Sequence, residues 1–190
     1  SHDIESLDLW YRITKNEGCF IDVGAHTGLY SLTAIKANSK NNVISIEPYF
    51  MNLSRLITNL RLNNIYKNVT TIMGAISDFD GKSKFNITTE KSYMSKGGKI
   101  SNHGLDIDVY QLDTLYSKTT DKEIKGIKID TEGYDTKIVK DFLLKVKIRP
   151  IIIFEYIHSK HQMFSETIQL LINSDYVLFK IEENIICVPK

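Results

Sequence analysis

The stretch Phe20–Ala34, FIDVGAHTGLYSLTA, decides how the rest of the chain is read. An apolar run reaches Asp22 and Val23, turns through Gly24 and Gly28, and restarts at Leu29 with helix-compatible sequence. Strand, glycine turn and helix in that order form the first unit of an open parallel α/β sheet. Ligands of such sheets bind beyond the carboxyl ends of the strands, where the strand order reverses. Gly24 lets a ligand approach the backbone closely, and Gly28 opens a helix whose first amides carry partial positive charge.

Outward from this unit the alternation repeats. CFIDV (19–23), VISIE (43–47), VTTIMGA (69–75), IKGIKID (124–130) and PIIIFEY (150–156) are near-continuous apolar runs, the mark of strands buried on both faces. Helices are expected near 28–39 and over 49–64, 134–146 and 165–174, where apolar residues recur at helical spacing, as Leu53, Leu56, Ile57 and Leu60 do. The chain closes with YVLFKI and NIICVP, an antiparallel pair expected to turn at Glu182, Glu183 and Asn184. Residues 4–16 read as an N-terminal helix packing Leu7, Trp10, Tyr11 and Ile13. The expected architecture is a doubly wound α/β sheet with helices on both faces. From Ser77 to Gly104 the rhythm breaks into polar sequence. A hairpin is expected around DFDGKSKFNI (78–87) and a loop over 89–104, which reads equally as a lid or as a surface insertion.

Bulk properties bound the function. The 190 residues suit one domain, with the N-terminal helix in 1–18 and the core in 19–190. At a formal net charge of +1 no long-range field favours nucleic acid or anionic membrane. Cys19 and Cys187 lie in apolar runs without metal or disulfide spacing, as buried thiols do. No apolar run nears the ~20 residues of a membrane span, so a cytoplasmic location is expected. The Ser1-His2 start fits a domain excised from a longer protein, either an interaction module or an enzyme fused to a glycosyltransferase.

The acids around the turn narrow the ligand. The dinucleotide fingerprint G-x-G-x-x-G is absent, and Asp22 would repel a pyrophosphate. It suits a ligand bearing an ammonium and a carboxylate. Glu47 ends the second strand 19 residues after Gly28, where an acid accepts hydrogen bonds from ribose hydroxyls, and Pro48 stops the strand behind it. A nucleoside joined to an amino acid without phosphate is S-adenosylmethionine. Competing readings stay open: Asp22 capping the following turn with Glu47 solvated, a nicotinamide-dependent oxidoreductase, or a non-catalytic binding module.

With FIDVGAHTGLYSL, VISIEP, GAISDFDG, LDTL, IKIDTEGYD and IIIFEY in this order, the chain resembles the FkbM-type methyltransferases over about Phe20 to Tyr156. The resemblance implies a class I Rossmann-like fold, a seven-stranded, mostly parallel sheet of order 3-2-1-4-5-7-6. It also implies S-adenosylmethionine as donor and O-methylation of sugar or polyketide hydroxyls. Residue by residue, it assigns Asp22, Gly24, Ala25 and Gly28 to the cofactor turn and Glu47 to the ribose. Ala75 and Ile76 fall where adenine is lined, with Asp78 in reach of its amino group. His26, where the family often has Asn, is expected to be a turn residue.

Methyl transfer requires the acceptor oxygen in line with the sulfonium carbon at roughly 3 Å, and a sugar hydroxyl must also lose its proton. Asp130, Glu132 and Glu155 end or follow two neighbouring strands. Such acids can share Mg²⁺ or Mn²⁺, with Asp130 and Glu155 as the expected ligands, or raise one pKa among them to make a base. His158 is a candidate base or ligand, His103 a candidate to close over the acceptor, and Asp113 an expected helix cap. Lys82, Lys84, Lys91, Lys96 and Lys99 make the 82–99 stretch basic. It reads as a solvated loop or as a contact for a phosphate-bearing sugar or glycan acceptor.

Overall fold

The computed structural model describes residues 4–87, 98–120, 122–158 and 160–190. Helix α1 (Ile4–Ile13) leads into β1 (Cys19–Val23), α2 (Leu29–Ala37), β2 (Asn42–Glu47), α3 (Phe50–Leu62) and, after one 3-10 turn, β3 (Val69–Met73). Four strands then follow: β4 (Ala75–Ile76), β5 (Gly81–Ile87), β6 (Gly98–Ser101) and β7 (Leu105–Tyr110). The alternation resumes with α4 (Leu112–Thr119), β8 (Ile124–Ile129), α5 (Asp135–Lys145), β9 (Ile151–Glu155) and α6 (His161–Asn173), and ends in β10 (Tyr176–Ile181) and β11 (Asn184–Pro189).

The main sheet runs β3-β2-β1-β8-β9-β11-β10. Numbered within that sheet, this is the order 3-2-1-4-5-7-6. β1, β2, β3, β8 and β9 pair in parallel, and β11 lies antiparallel between β9 and β10. The order reverses between β1 and β8, so the turn after Val23 stands at the switch point.

The central strands β1, β2, β8 and β9 are buried on both faces, which is why they lack regular polar alternation, while the edge strands β3 and β10 are partly exposed. On one face Phe20, Val43, Ile153 and Ile186 meet Trp10, Ala34, Leu56 and Leu60 from α1, α2 and α3. On the other Ile21, Ile44, Ile127 and Phe154 meet Leu115, Phe142 and Leu171 from α4, α5 and α6. Trp10 is fully buried; its indole N–H donates to Tyr30 O at 3.0 Å, and its ring meets Phe20 edge-on. Tyr11, expected beside it, is instead exposed, since it projects from the opposite side of α1.

The first face is not wholly apolar. Asp22 sits in register with Ser45 on one side and Lys128 on the other, so a polar row crosses three strands near their carboxyl ends. All three residues are buried.

The polar segment holds more structure than its composition indicates. β4, β7, β5 and β6 form a second sheet, with β5 antiparallel to both β6 and β7. The expected 78–87 hairpin is therefore a single strand whose partners come from downstream. Of the expected 89–104 loop, 98–101 is β6, while 89–97 lies outside the described residues. Gly74 ends the main-sheet pairing, and Ala75 and Ile76 join the second sheet beside Val109 and Tyr110. At the C-terminus the turn is Glu182 and Glu183 alone, because Asn184 already pairs with Ile181.

Candidate active site

The glycine turn is fixed from both sides. The amides of Gly24 and Ala25 donate to Ile46 O at 2.9 and 3.0 Å, and Asp130 N–H donates to Val23 O at 3.0 Å. Gly24 has φ 75°, and a Cβ there would lie 1.8 Å from Asp130 O. No side chain fits between the ends of β1 and β8.

Asp22 Oδ2 accepts the Ser31 amide at 3.0 Å and its hydroxyl at 2.5 Å, and that hydroxyl lies 2.7 Å from Ser45 Oγ. The acid therefore caps the first turn of α2 from the strand before it, while also lining the cavity above. Burial pushes its carboxyl from the ordinary 3.8 up to about 6, against the opposing effect of the Ser31 bonds. Glu47 is only 5% exposed, which removes the reading of it as a solvated acid. Its Oε2 accepts His26 N–H at 2.8 Å and its Oε1 accepts Tyr49 N–H at 3.0 Å. Burial raises this carboxyl too, opposed by the two backbone amides. His26, at φ 49°, is the turn residue expected, its amide aimed at Glu47.

A cavity of about 940 Å³ opens over the turn, at the large end of the range for small-molecule sites. Of the residues expected to hold a cofactor, Asp22, Gly24, Ala25, Glu47, Pro48, Ala75 and Ile76 line it. Gly28 does not; it precedes α2 at φ 89°. The second sheet adds Phe85, Lys99 and Ile100, and α3 adds Asn52 and Arg55. Of this group the sequence pointed to Lys99 alone, as part of the basic stretch; Phe85 and Ile100 were missed because the second sheet went unrecognised.

The opposite rim is built by the loop after β8. Asp135, buried at the start of α5, accepts bonds from Thr131 N–H at 3.2 Å, Thr131 Oγ1 at 3.0 Å and Gly133 N–H at 3.2 Å. These bonds hold Glu132 in a left-handed conformation, φ 56°, which a non-glycine residue adopts only when its surroundings enforce it. Gly133, at φ 107°, allows the strand end after β9 to come close: a Cβ there would lie 3.2 Å from His158 O. His158 Nε2 thereby reaches within 3.4 Å of Glu132 Oε2 and 3.8 Å of Glu155 Oε2. One ligand atom from each of these three residues lies within 4.8 Å of the others.

Asp130, expected to pair with Glu155 around a cation, is outside that group. Its carboxylate stands 3.7 Å from Lys128 Nζ, although it lines the cavity together with Glu132. Lys128 is a buried strand lysine that also donates to Asn184 Oδ1 at 3.1 Å and stands 5.1 Å from the Tyr30 ring centroid. Burial, then Asp130, Asp135 and Glu132, push Glu155 from the ordinary 4.5 up to about 8. Glu132 is raised by burial and by Asp130, while His158 opposes the rise. Asp135 is raised by burial and by Asp130.

Other expected residues lie elsewhere. Asp78 pairs with Lys137 at 3.0 Å and does not line the cavity. His103 bonds Asn86 and Ser101 in the turn between β6 and β7. Asp113 lies inside the first turn of α4 rather than at its cap, and Asp80 instead accepts the Gln111 amide at 3.0 Å. Of the basic stretch, Lys82 faces Asp108 and Lys84 faces Asp106 on β7, while Lys91 and Lys96 lie outside the described residues. Lys99 remains at the cavity. His161 is exposed at the start of α6, and no helix among the described residues is long and apolar enough to cross a membrane.

No curated protein matches the sequence. Among solved structures, the methyltransferase FkbM of Methylobacillus flagellatus KT superposes with a TM-score of 0.65 at 18% identity, over 90% of this chain and 44% of that one. The chain thus spans less than half the length of that protein. A putative caffeoyl-CoA O-methyltransferase from Staphylococcus aureus gives 0.62 at 15% identity, over 99% of this chain and 84% of that one. A SAH-bound methyltransferase of Podospora anserina gives 0.61 at 12%, over 97% and 77%. At these identities the likeness is one of fold. The methyltransferase FkbM domain matches residues 22–178, and the chain belongs to that methyltransferase family.

Proposed function

We propose that this domain transfers a methyl group from S-adenosylmethionine to a hydroxyl of a sugar or glycoconjugate. The observation that carries the reading is the cavity's two unlike walls. On one side the β1 turn and Glu47 are held rigid by backbone hydrogen bonds. On the other, Asp130 and Glu132 face the same space, with Glu155 and His158 behind Glu132. The first wall suits the cofactor: Glu47 retains lone pairs for the ribose hydroxyls, Asp22 lies where the cofactor's ammonium would be received, and Ala75 and Ile76 offer an apolar surface to adenine.

The second wall suits the acceptor. Its oxygen forms the new O–CH₃ bond as the S–CH₃ bond breaks and the electron pair returns to sulfur, leaving a neutral thioether. The hydroxyl proton passes to the acids of this rim, which lie where the charge of the sulfonium is lost. Lys99, on β6, lines the cavity, which supports an acceptor carrying phosphate, such as a nucleotide sugar.

The test is incubation with S-adenosylmethionine and a panel of free, nucleotide-linked and lipid-linked sugars, with products read by mass spectrometry. A methyl ether at a sugar oxygen, lost in Asp130→Asn, is the expected result. Methylation at nitrogen, or no transfer to any sugar by protein that binds S-adenosylhomocysteine, would overturn the acceptor assignment.

A further inference from the structure

Resting on that reading, we propose that Glu132, Glu155 and His158 form a divalent-cation site, of the Mn²⁺ type, at the acceptor edge of the cavity. Two carboxylates and one imidazole make a donor set between hard and borderline, which suits Mn²⁺ better than Ca²⁺ or Mg²⁺. The three donor atoms lie within 4.8 Å of one another, with His158 Nε2 3.4 Å from Glu132 Oε2. Adjacent ligands around a cation at about 2.1 Å stand about 3 Å apart, so closing the site requires shifts near an ångström. Glu132 and His158, with side chains 42% and 50% exposed, have room for them.

Three further observations point the same way. Glu155 Oε2 is buried and accepts no hydrogen bond from any described residue, an orphan that a cation would satisfy. The positive charge built into this end of the sheet, Lys128, is on the Asp130 side and hydrogen-bonded to Asn184. The loop that presents Glu132 is strained, φ 56°, and Asp135 holds it there by three hydrogen bonds, so the convergence on His158 is enforced by the fold. Three protein donors leave open positions on a six-coordinate cation, and Glu132 borders the cavity. A cation held there would offer an open position to the acceptor hydroxyl and would lower its pKa. Asp130, outside the ligand set and lining the same cavity, then receives the proton as oxygen takes the methyl group and sulfur keeps the electron pair.

The experiment is a titration of the protein with Mn²⁺, followed by electron paramagnetic resonance and calorimetry. It is run on the wild type, Glu155→Gln and His158→Ala, with S-adenosylhomocysteine binding measured on each. Saturable one-to-one binding that each substitution weakens about tenfold or more, with homocysteine-cofactor affinity preserved, is the expected result. If the wild type takes up no Mn²⁺ at millimolar concentration, or the variants bind it as tightly, the site is refuted. Because cofactor binding is read separately, its failure would count against the methyltransferase reading and leave the cation result standing on its own.

Discussion

The two rims of the cavity are built from the same residue types and behave oppositely. At the ends of β1 and β2, Asp22 and Glu47 are buried, and each accepts two hydrogen bonds from nearby turn or helix groups. At the ends of β8 and β9, Glu132 and Glu155 are drawn together with His158 and meet chiefly like charge. A carboxylate whose oxygens are fixed by amides is a rigid acceptor that holds a ligand in one pose. One crowded by other carboxylates binds a proton or a cation strongly and can release it. In the proposed function, holding and reacting are thus separated across one cavity by what each acid is bonded to.

The contrast is broken most severely at the point that joins the rims. Gly24→Ala places a methyl group where Asp130 O already stands and forces a left-handed alanine. The expected outcome is loss of cofactor binding with a large drop in melting temperature, read by calorimetry and circular dichroism. Asp135→Ala removes the three bonds that shape the Glu132 loop, and should cost about 3 kcal/mol in urea unfolding. The same variant should weaken Mn²⁺ binding more than cofactor binding, since it touches the reactive rim alone.

A smaller effect sharpens the comparison through pH. The folded protein holds the Glu155 proton at about 8 against the ordinary 4.5, so it binds that proton more tightly than the unfolded chain does. The resulting stability is complete below pH 4.5 and is lost as pH rises through about 8. Glu155→Gln cannot lose it. With a chelator present, the melting temperature of the variant relative to wild type should climb between these limits and level off above them. A difference that stays flat with pH would show that the rim does not crowd Glu155. Smallest of all, Lys84→Ala should change stability by less than about 0.5 kcal/mol, because its partner Asp106 is exposed on the second sheet.

The same division governs what the sequence made legible. Apolar runs announced the strands of the main sheet, since the central ones, β1, β2, β8 and β9, are covered on both faces by helices. The second sheet was missed although LDIDVY alternates: Ile107 and Val109 are buried while Asp106 and Asp108 face lysines. Its partners lie far apart in sequence, and a short alternating run amid polar residues does not name them. In the site, Asp22, Glu47 and the strand-end acids could be found by position. Their partners could not, because those come from packing. Lys128 stands beside Asp130, and Gly133 lets His158 come close to Glu132, neither of which is a spacing in the sequence. IKGIKI carries two lysines, and the second, Lys128, buried between Ile127 and Ile129, was nevertheless a usable signal, as only a paired lysine is tolerated there.

The central claim is that the rim at β1 and β2 is built to hold S-adenosylmethionine, and calorimetric titration with S-adenosylhomocysteine tests it most directly. Wild type, Glu47→Ala and an NAD control suffice, with folding of the variant checked by circular dichroism. Micromolar binding of S-adenosylhomocysteine, weakened about tenfold or more by Glu47→Ala, with no heat from NAD, is the predicted result. Folded wild-type protein that binds no S-adenosylhomocysteine, or that binds NAD in its place, would contradict it.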